Sequence, residues 1–232
     1  AVAFASRSLD AIARSAAVPD PMQQRSQVFL RVMPSGEHIL LSKSIVPQQF
    51  WGSGDSTAPK VAMLSESPLA YRVAFLSDAP DLVRQGVQSG SVVHSFVATV
   101  FQRSSSSGWE VSIKKVPNVD SESEFRDLSI SADGTKIIYS TANIELGSDG
   151  ARVDTYVQDA SGLSPPELVC PYARASHLRT FGGSLSYSGD VRVFLMSRAN
   201  NTSGDADVYM TQVGDNTTTP PTQINVAEDG TV

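Results

Sequence analysis

The chain has 232 residues, a hydrophobic fraction of 41% and a charged fraction of 18%, which is the composition of a folded protein with a substantial core. Its net charge of −6 argues against a nucleic-acid partner, because phosphate recognition needs clustered Lys and Arg. No apolar run approaches the roughly 20 residues of a membrane-spanning helix, so we expect no transmembrane segment.

The first part of the chain predicts short strands around a polar turn. The apolar runs are residues 2–6, 27–30 and 38–41. Residues 34–36 read Pro-Ser-Gly, which is typical of a turn between strands. Residues 8–17 instead have a helical spacing of apolar residues that Pro19 would end. We expect a short helical insertion there.

The middle of the chain continues with strand patterns. The runs are residues 64–71, 73–77, 95–101 and 109–113, followed by 128–136, 137–141, 153–158 and 167–170. Residues 128–136 alternate apolar and polar and turn at residues 132–134, before the run at 137–141. Asp133-Gly134 in that turn is a strong hairpin signal, because Gly reaches the positive φ of the turn without steric cost. Residues 128–170 therefore predict a unit of four strands.

The last part repeats this pattern. Residues 185–190, 191–197 and 207–210 are the predicted strands. One apolar run of each copy ends in a hydroxyl residue, at Ser6, Ser77, Thr141 and Ser197. Phe4, Phe75 and Tyr139 share one position of the repeat, so we expect them in the core. A chain built from copies of one unit gets its fold from stacking them.

We therefore predict an all-β chain of β-propeller blades, each of four antiparallel strands, because radial repetition protects the edges of such sheets. The four visible repeats are residues 1–63, 64–127, 128–184 and 185–232. Residues 228–232 resemble the turn at Asp133-Gly134, and the motif is cut there. We expect part of a larger propeller or array, with residues 2–6 paired to an outside strand. The alternative is a closed ring in which the C-terminal strand pairs with them.

Two segments resemble the WD40-like blades of the TolB-type propeller family. The best matches are residues 132–134 with 137–139, and residues 207–209, which read Asp-Val-Tyr. The resemblance covers about residues 125–215. The earlier copies depart from it, since Pro68-Leu-Ala replaces the Asp-Gly turn. The resemblance implies a propeller, and TolB-like blades are also similar to the gating domains of prolyl-oligopeptidase-type peptidases.

The sequence carries no convincing motif for catalysis, metal binding or cofactor binding. Residues 86–90 have the wrong spacing for a nucleophile elbow, and His38, His94 and His177 are isolated in sequence. Residues 52–55 and 147–150 could offer carboxylates to calcium but are more simply turns. We expect no catalytic, metal-binding or cofactor-binding residue, and hence no enzyme in this chain.

Compartment and modification are indicated by three residues. Asn216, Asn201 and Asn200 begin N-x-[ST] acceptors, so they are candidate N-glycosylation sites. We therefore expect an extracellular, cell-surface or periplasmic protein. Cys170 is the only cysteine and is interpreted as a small buried apolar residue.

Phe50 and Trp51 form an aromatic pair in a Gly/Ser-rich loop. Exposed aromatic pairs can anchor a partner or a glycan, although burial of the pair is the simpler interpretation. Three functions stay open: a non-enzymatic structural or protein-interaction module in a secreted or surface assembly, the propeller of a multidomain prolyl-oligopeptidase-type peptidase, and a glycan-binding propeller.

Overall fold

The computed structural model describes most of the chain in two compact units, residues 1–116 and 117–232. The described residues are 1–7, 25–33, 35–47, 49, 51–84, 92–103, 108–117, 119, 123–143, 152–198, 206–214 and 220–224. The predicted helical insertion at residues 8–17 lies outside them.

The first unit contains two antiparallel sheets. The first sheet is β1 (Val2–Ser6), β2 (Gln27–Arg31) and β3 (His38–Leu40). The second sheet is β4 (Ser56–Glu66), β5 (Leu69–Ser77), β6 (His94–Gln102) and β7 (Trp109–Lys115). In both sheets each strand pairs with the next along the chain. Such meanders need no crossover connection, and the polar turn at residues 34–36 before β3 was visible in the sequence.

The second unit also contains two antiparallel sheets. The third sheet is β8 (Ser123–Ile130), β9 (Lys136–Asn143), β10 (Arg152–Asp159) and β11 (Glu167–Leu168). The fourth sheet is β12 (Leu178–Leu185), β13 (Val191–Arg198), β14 (Asp207–Gln212) and β15 (Thr222–Gln223). A short helix, α1 (Pro171–Ala175), connects them. Both sheets are meanders. The prediction of an all-β chain of repeated antiparallel sheets is confirmed, with three strands rather than four described in the first sheet.

The later three sheets start earlier than the predicted repeats. Their first strands begin at Ser56, Ser123 and Leu178, before the boundaries at residues 64, 128 and 185. The cause is a register shift in each of these strands, at 57/60 and 63/65 in β4, 125/127 in β8 and 181/184 in β12. A bulge adds a residue and breaks the period-2 alternation by which a strand is recognised in sequence.

A stacked aromatic pair recurs in all four sheets. The pairs are Phe4–Phe29, Phe75–Phe96, Tyr139–Tyr156 and Phe194–Tyr209, with ring centroids 5.5, 5.7, 6.1 and 6.4 Å apart. In each pair the two residues lie directly opposite each other on neighbouring strands. Cross-strand aromatic pairs stabilise sheets by side-chain contact. This pair therefore defines the repeat better than the hydroxyl residue at the strand end.

The stacked pair also shows which residues of the fourth copy correspond to those of the third, where the hydroxyl pattern of the sequence aligns Ser197 with Thr141. The N–H of Ser131 donates to the Lys136 carbonyl and that of Ser186 to the Val191 carbonyl, so the two turns have the same length. Phe194 is thus the counterpart of Tyr139, and the hydroxyl of Ser197 falls one position beyond that of Thr141. The expected core positions hold for Phe75 and Tyr139, which are fully buried, whereas Phe4 is half-buried.

Each unit has an apolar core between its two sheets. In the first unit Val28 and Leu30 of β2 pack with Phe75 of β5 and Phe96 of β6. In the second unit β12 contacts β8, β9 and β10, and the core contains Cys170, 3% exposed. The interpretation of Cys170 as a buried apolar residue is confirmed. β1 pairs along its length with β2, and the partner predicted for its other edge stays a prediction.

Candidate functional site

A cleft of about 800 Å³ opens in the first unit between the outer strands of its two sheets. All three residues of β3 line it, as do Trp109, Glu110 and Val111 of β7. Successive side chains of a strand point to opposite faces. A cavity on one face of a strand would be lined by every second residue. Because consecutive residues line this cleft, it runs along the edges of both β3 and β7.

One wall of the cleft is apolar because β7 alternates strictly. Trp109, Val111 and Ile113 are half-buried and pack against the core, whereas the residues between them are exposed. Ile39 of β3 faces the same cleft, and the fully buried Leu82 lies at its base. The apolar side chains of two sheets that are distant in sequence thus meet in one groove.

Trp109 is held in place from two sides. Its indole Nε1–H donates a hydrogen bond to Glu37 Oε2 at 2.8 Å, which links β7 to the turn before β3. Its ring centroid lies 6.2 Å from that of Tyr71 on β5. Tryptophan combines a large apolar surface with one polar atom that needs a partner. Both requirements are met here without covering the ring completely, since Trp109 is only half-buried.

The backbone of β7 has groups along the cleft that are not paired by any strand in the described ranges. The Val116 N–H donates to the Ser95 carbonyl and the Arg103 N–H to the Gly108 carbonyl, which fixes the hydrogen-bonded pairs between β6 and β7. Because hydrogen-bonded and non-hydrogen-bonded pairs alternate in antiparallel sheets, Glu110 and Ser112 bond to β6. The N–H and C=O groups of Val111 and Ile113 therefore point to the outer edge, with which no described strand pairs.

The rim of the cleft has a positive excess. Its charged side chains are Lys43, Arg84, Arg103, Glu37 and Glu110. Arg103 pairs with Glu110 at 3.2 Å, and Glu37 accepts the indole hydrogen bond. Lys43 and Arg84 are exposed and form no ion pair with any carboxylate that the structure describes. Among the residues described, these two cations have no anionic partner, so they are available to an anionic ligand.

Asp81 fixes the loops at the base of the cleft. Its Oδ1 accepts hydrogen bonds from the backbone N–H and the hydroxyl of Ser53, both at 2.8 Å. Its carbonyl accepts from the N–H of Ile45, which lines the cleft. The loop after β3 and the loop after β5 are thereby joined, so the cleft has a preformed base.

The predicted aromatic loop is not an exposed anchor at Trp51. That side chain is 8% exposed, and Gly52 beside it donates its N–H to the Ser42 carbonyl. The indole is buried because the loop folds back on the end of the first sheet. Phe50 lies outside the described residues. Burial of Trp51 agrees with the simpler interpretation of the pair for this residue, and the glycan-binding hypothesis stays a prediction.

The other predicted site residues fall into two groups. Asn200, Asn201 and Asn216 lie outside the described residues, as do residues 147–150. The 52–55 segment is a structured turn whose Asp55 accepts the Ser26 N–H at 2.5 Å through Oδ1 and lies 3.8 Å from Arg7. Where the structure is described, three or more His, Cys, Asp or Glu side chains do not gather as they would around a metal ion.

His94 is the buried histidine of the second sheet. It is 5% exposed, and neither ring nitrogen has a hydrogen-bond partner among the described residues. Burial, and secondarily the nearby Lys115 charge, lowers the pKa of His94 to about 4. The ring is therefore neutral at physiological pH. Without a hydroxyl or carboxylate partner in the described part of the chain, it is not arranged as the general base of a triad.

The cleft was missed from the sequence although part of its signal was present. The strand at residues 109–113 was recognised, and its alternation places Trp109 on the apolar face. Glu37 and Trp109 lie 72 residues apart, and no local pattern brings them together. An aromatic residue that starts a half-buried edge strand was the available hint.

No protein-family model matches the chain, and no curated protein sequence matches it significantly. The resemblance to TolB-type propellers therefore stays a prediction. No helix in the described ranges is both long and apolar enough to cross a membrane.

Proposed function

We propose that this chain is a non-enzymatic protein-interaction module and that the cleft between β3 and β7 binds a peptide segment of its partner. The observation that carries the proposal is the combination in one groove of an apolar wall, a strand edge without a described partner strand, and two cations without a described carboxylate partner. A volume of about 800 Å³ lies within the range of specific binding pockets. A free edge adds the backbone groups that peptides recognise.

The cleft favours binding over catalysis. It holds no described nucleophile–base pair: its only histidine, His38, is exposed and packs edge-on to Phe4 with ring centroids 5.8 Å apart. Its charged side chains are exposed, and such groups set orientation and specificity around apolar contacts. Such an arrangement suits recognition of a side chain by Trp109.

A peptide-display selection tests this proposal. We expect a random library to yield peptides that bind the wild-type protein with micromolar or better affinity in fluorescence anisotropy. Trp109→Ala should weaken their binding at least tenfold, because central aromatic anchors contribute 2 kcal/mol or more. The matched control is Tyr187→Ala, which removes an aromatic side chain that is 73% exposed in the second unit.

Selected peptides that bind wild type and Trp109→Ala equally would contradict the proposal, as would a selection that enriches no binder. Loss of binding in Tyr187→Ala alone would place the site in the second unit.

We further propose that the four sheets are blades arranged radially, as in TolB-like propellers. The support is the recurrence of one meander with one stacked aromatic pair in each sheet. An experimental structure with the strands in one continuous sandwich would contradict this arrangement.

The proposal includes a location outside the cytosol, supported by the N-x-[ST] acceptors at Asn200, Asn201 and Asn216. For a eukaryotic source we expect intact-mass spectra of native material to show added hexose and N-acetylhexosamine at Asn216 first. An unmodified mass would remove this support.

A further inference from the structure

We propose that the occupant of the cleft is an extended acidic segment that adds to the free edge of β7 as a fifth strand of the second sheet. This inference rests on the proposed function and names the chemistry of its partner.

The backbone of β7 is the first support. Its seven residues form the outer edge of the second sheet, and the register directs the N–H and C=O groups of Val111 and Ile113 away from β6. A free edge is a template for another strand. A segment of about six residues, at roughly 3.4 Å per residue, would span it. A helix in the same place would leave these edge groups without partners, since its own backbone groups bond internally.

The apolar wall dictates the pattern of the segment. If a new strand is added beside β7, every second one of its side chains lies on the same face as Trp109, Val111 and Ile113. That face is half-buried and packs against the core, and Ile39 lines the opposite side of the cleft. Cross-strand neighbours on one face interact directly. The segment should therefore carry apolar side chains at alternate positions.

The charges that line the cleft favour an acidic segment. Lys43 and Arg84 line the cleft and have no carboxylate partner among the residues described. Arg103 and Glu110 already neutralise each other at 3.2 Å. A segment with carboxylates would face a cleft in which Lys43 and Arg84 have no described carboxylate partner, whereas a basic segment would add to the positive excess. Because both cations are exposed, the preference should weaken as salt is raised.

The experiment uses the full chain and three fluorescein-labelled, acetylated hexapeptides. The first alternates Glu and Val, the second alternates Lys and Val, and the third is the Glu–Val peptide with N-methyl groups on two alternate residues. We expect the Glu–Val peptide to bind about tenfold or more tightly than the Lys–Val peptide. N-methylation should abolish binding, because it removes donors that would bond to the β7 edge.

Charge reversal in the protein gives the matching test. The double variant Lys43→Glu with Arg84→Glu should reverse the preference, so that the Lys–Val peptide binds more tightly. The control is Lys60→Glu, which reverses an exposed lysine on β4 outside the cleft and should leave the preference unchanged.

The outcomes separate this inference from the proposed function. If the N-methylated peptide binds as well as its parent, strand addition is wrong although peptide binding stands. If Glu–Val and Lys–Val peptides bind equally, or if the double variant keeps the wild-type preference, the acidic chemistry is wrong. If none of the hexapeptides binds but displayed peptides do, this inference fails alone. If no peptide of either source binds, both proposals fail.

Discussion

Gly54 lies where the loop before β4 meets the backbone after β5. A Cβ at this position would lie 2.1 Å from Asp78 Oδ1 and 2.5 Å from the Ala79 nitrogen, which is closer than van der Waals contact allows. We predict that Gly54→Ala lowers the free energy of unfolding by about 2–4 kcal/mol, because a rigid backbone must shift. Urea unfolding followed by tryptophan fluorescence would measure this, since both tryptophans, Trp51 and Trp109, lie in the first unit.

The matched control for Gly54 is Gly36→Ala in the same unit. Gly36 has φ of +73°, and its Cβ would meet nothing closer than 3.7 Å. Only the left-handed conformation is then costly, by about 1–2 kcal/mol. Equal losses in the two variants would show that the loop contact around Gly54 is not tight.

His94 predicts a dependence of stability on pH. Its pKa is about 4 in the folded protein against 6.5 as the ordinary value, so the unfolded chain binds more protons between these values. Stability from the neutral ring is therefore fully present above pH 6.5 and is lost as the pH falls toward 4. Protonation of His94 therefore lowers the free energy of unfolding by about 2–3 kcal/mol between pH 7 and pH 4.

The measurement is urea unfolding at several pH values in wild type and in His94→Leu. This variant fills the buried position with an apolar side chain and removes the titrating group. Carboxyl groups also titrate in this range. The quantity of interest is therefore the difference between the two proteins in the free energy of unfolding that each loses. We expect wild type to lose about 2–3 kcal/mol more than the variant over this range. Parallel stability curves would contradict the burial of a neutral ring at this position.

At the scale of single residues, the sequence predicted burial better than it predicted neighbours. The core positions of Phe75, Tyr139 and Cys170 follow from apolar patterning and are observed. For Trp51 an exposed anchor was the alternative and burial the simpler interpretation, and the side chain is buried, because loop residues apart in sequence bond to each other around it. Long-range loop contacts of this kind leave no local signature.

At the scale of the strand, the stacked aromatic pairs should couple energetically. We predict a coupling of about 0.5–1.5 kcal/mol between Phe75 and Phe96, whose ring centroids are 5.7 Å apart, in a double-mutant cycle with Phe75→Leu and Phe96→Leu. The reference cycle is Phe75→Leu with Phe125→Leu, two buried rings that lie in different units. Additive losses at Phe75 and Phe96 would show that the pair contributes buried area alone.

The same scale explains which strands were predicted well. The central strands β5, β9 and β13 alternate or run continuously apolar and were found within a few residues. The first strands β4, β8 and β12 carry bulges, which break alternation and hid their starts. In β4 the bulge between Thr57 and Lys60 contains Pro59, a residue that sheets tolerate at edges and bulges.

For the whole molecule, the repeated pattern made the all-β fold class predictable from the sequence. The cleft between β3 and β7 could not be predicted in this way. Hairpin turns such as Asp133-Gly134 and short apolar runs are local signals, so the all-β meanders follow from sequence. The cleft depends on how two sheets of the first unit pack, and its contact between Glu37 and Trp109 spans 72 residues. The radial arrangement depends on packing at a still longer range and is a proposal.

The most direct test of the central claim is residue-resolved amide hydrogen exchange in β7, with and without the Glu–Val hexapeptide. In the free protein Val111 and Ile113 should exchange rapidly, because their N–H groups point to the open edge, whereas Glu110 and Ser112 should be protected by β6. On saturation with the peptide, Val111 and Ile113 should slow at least tenfold while Glu110 and Ser112 change little. Unchanged exchange at Val111 and Ile113 in the saturated complex would contradict the account.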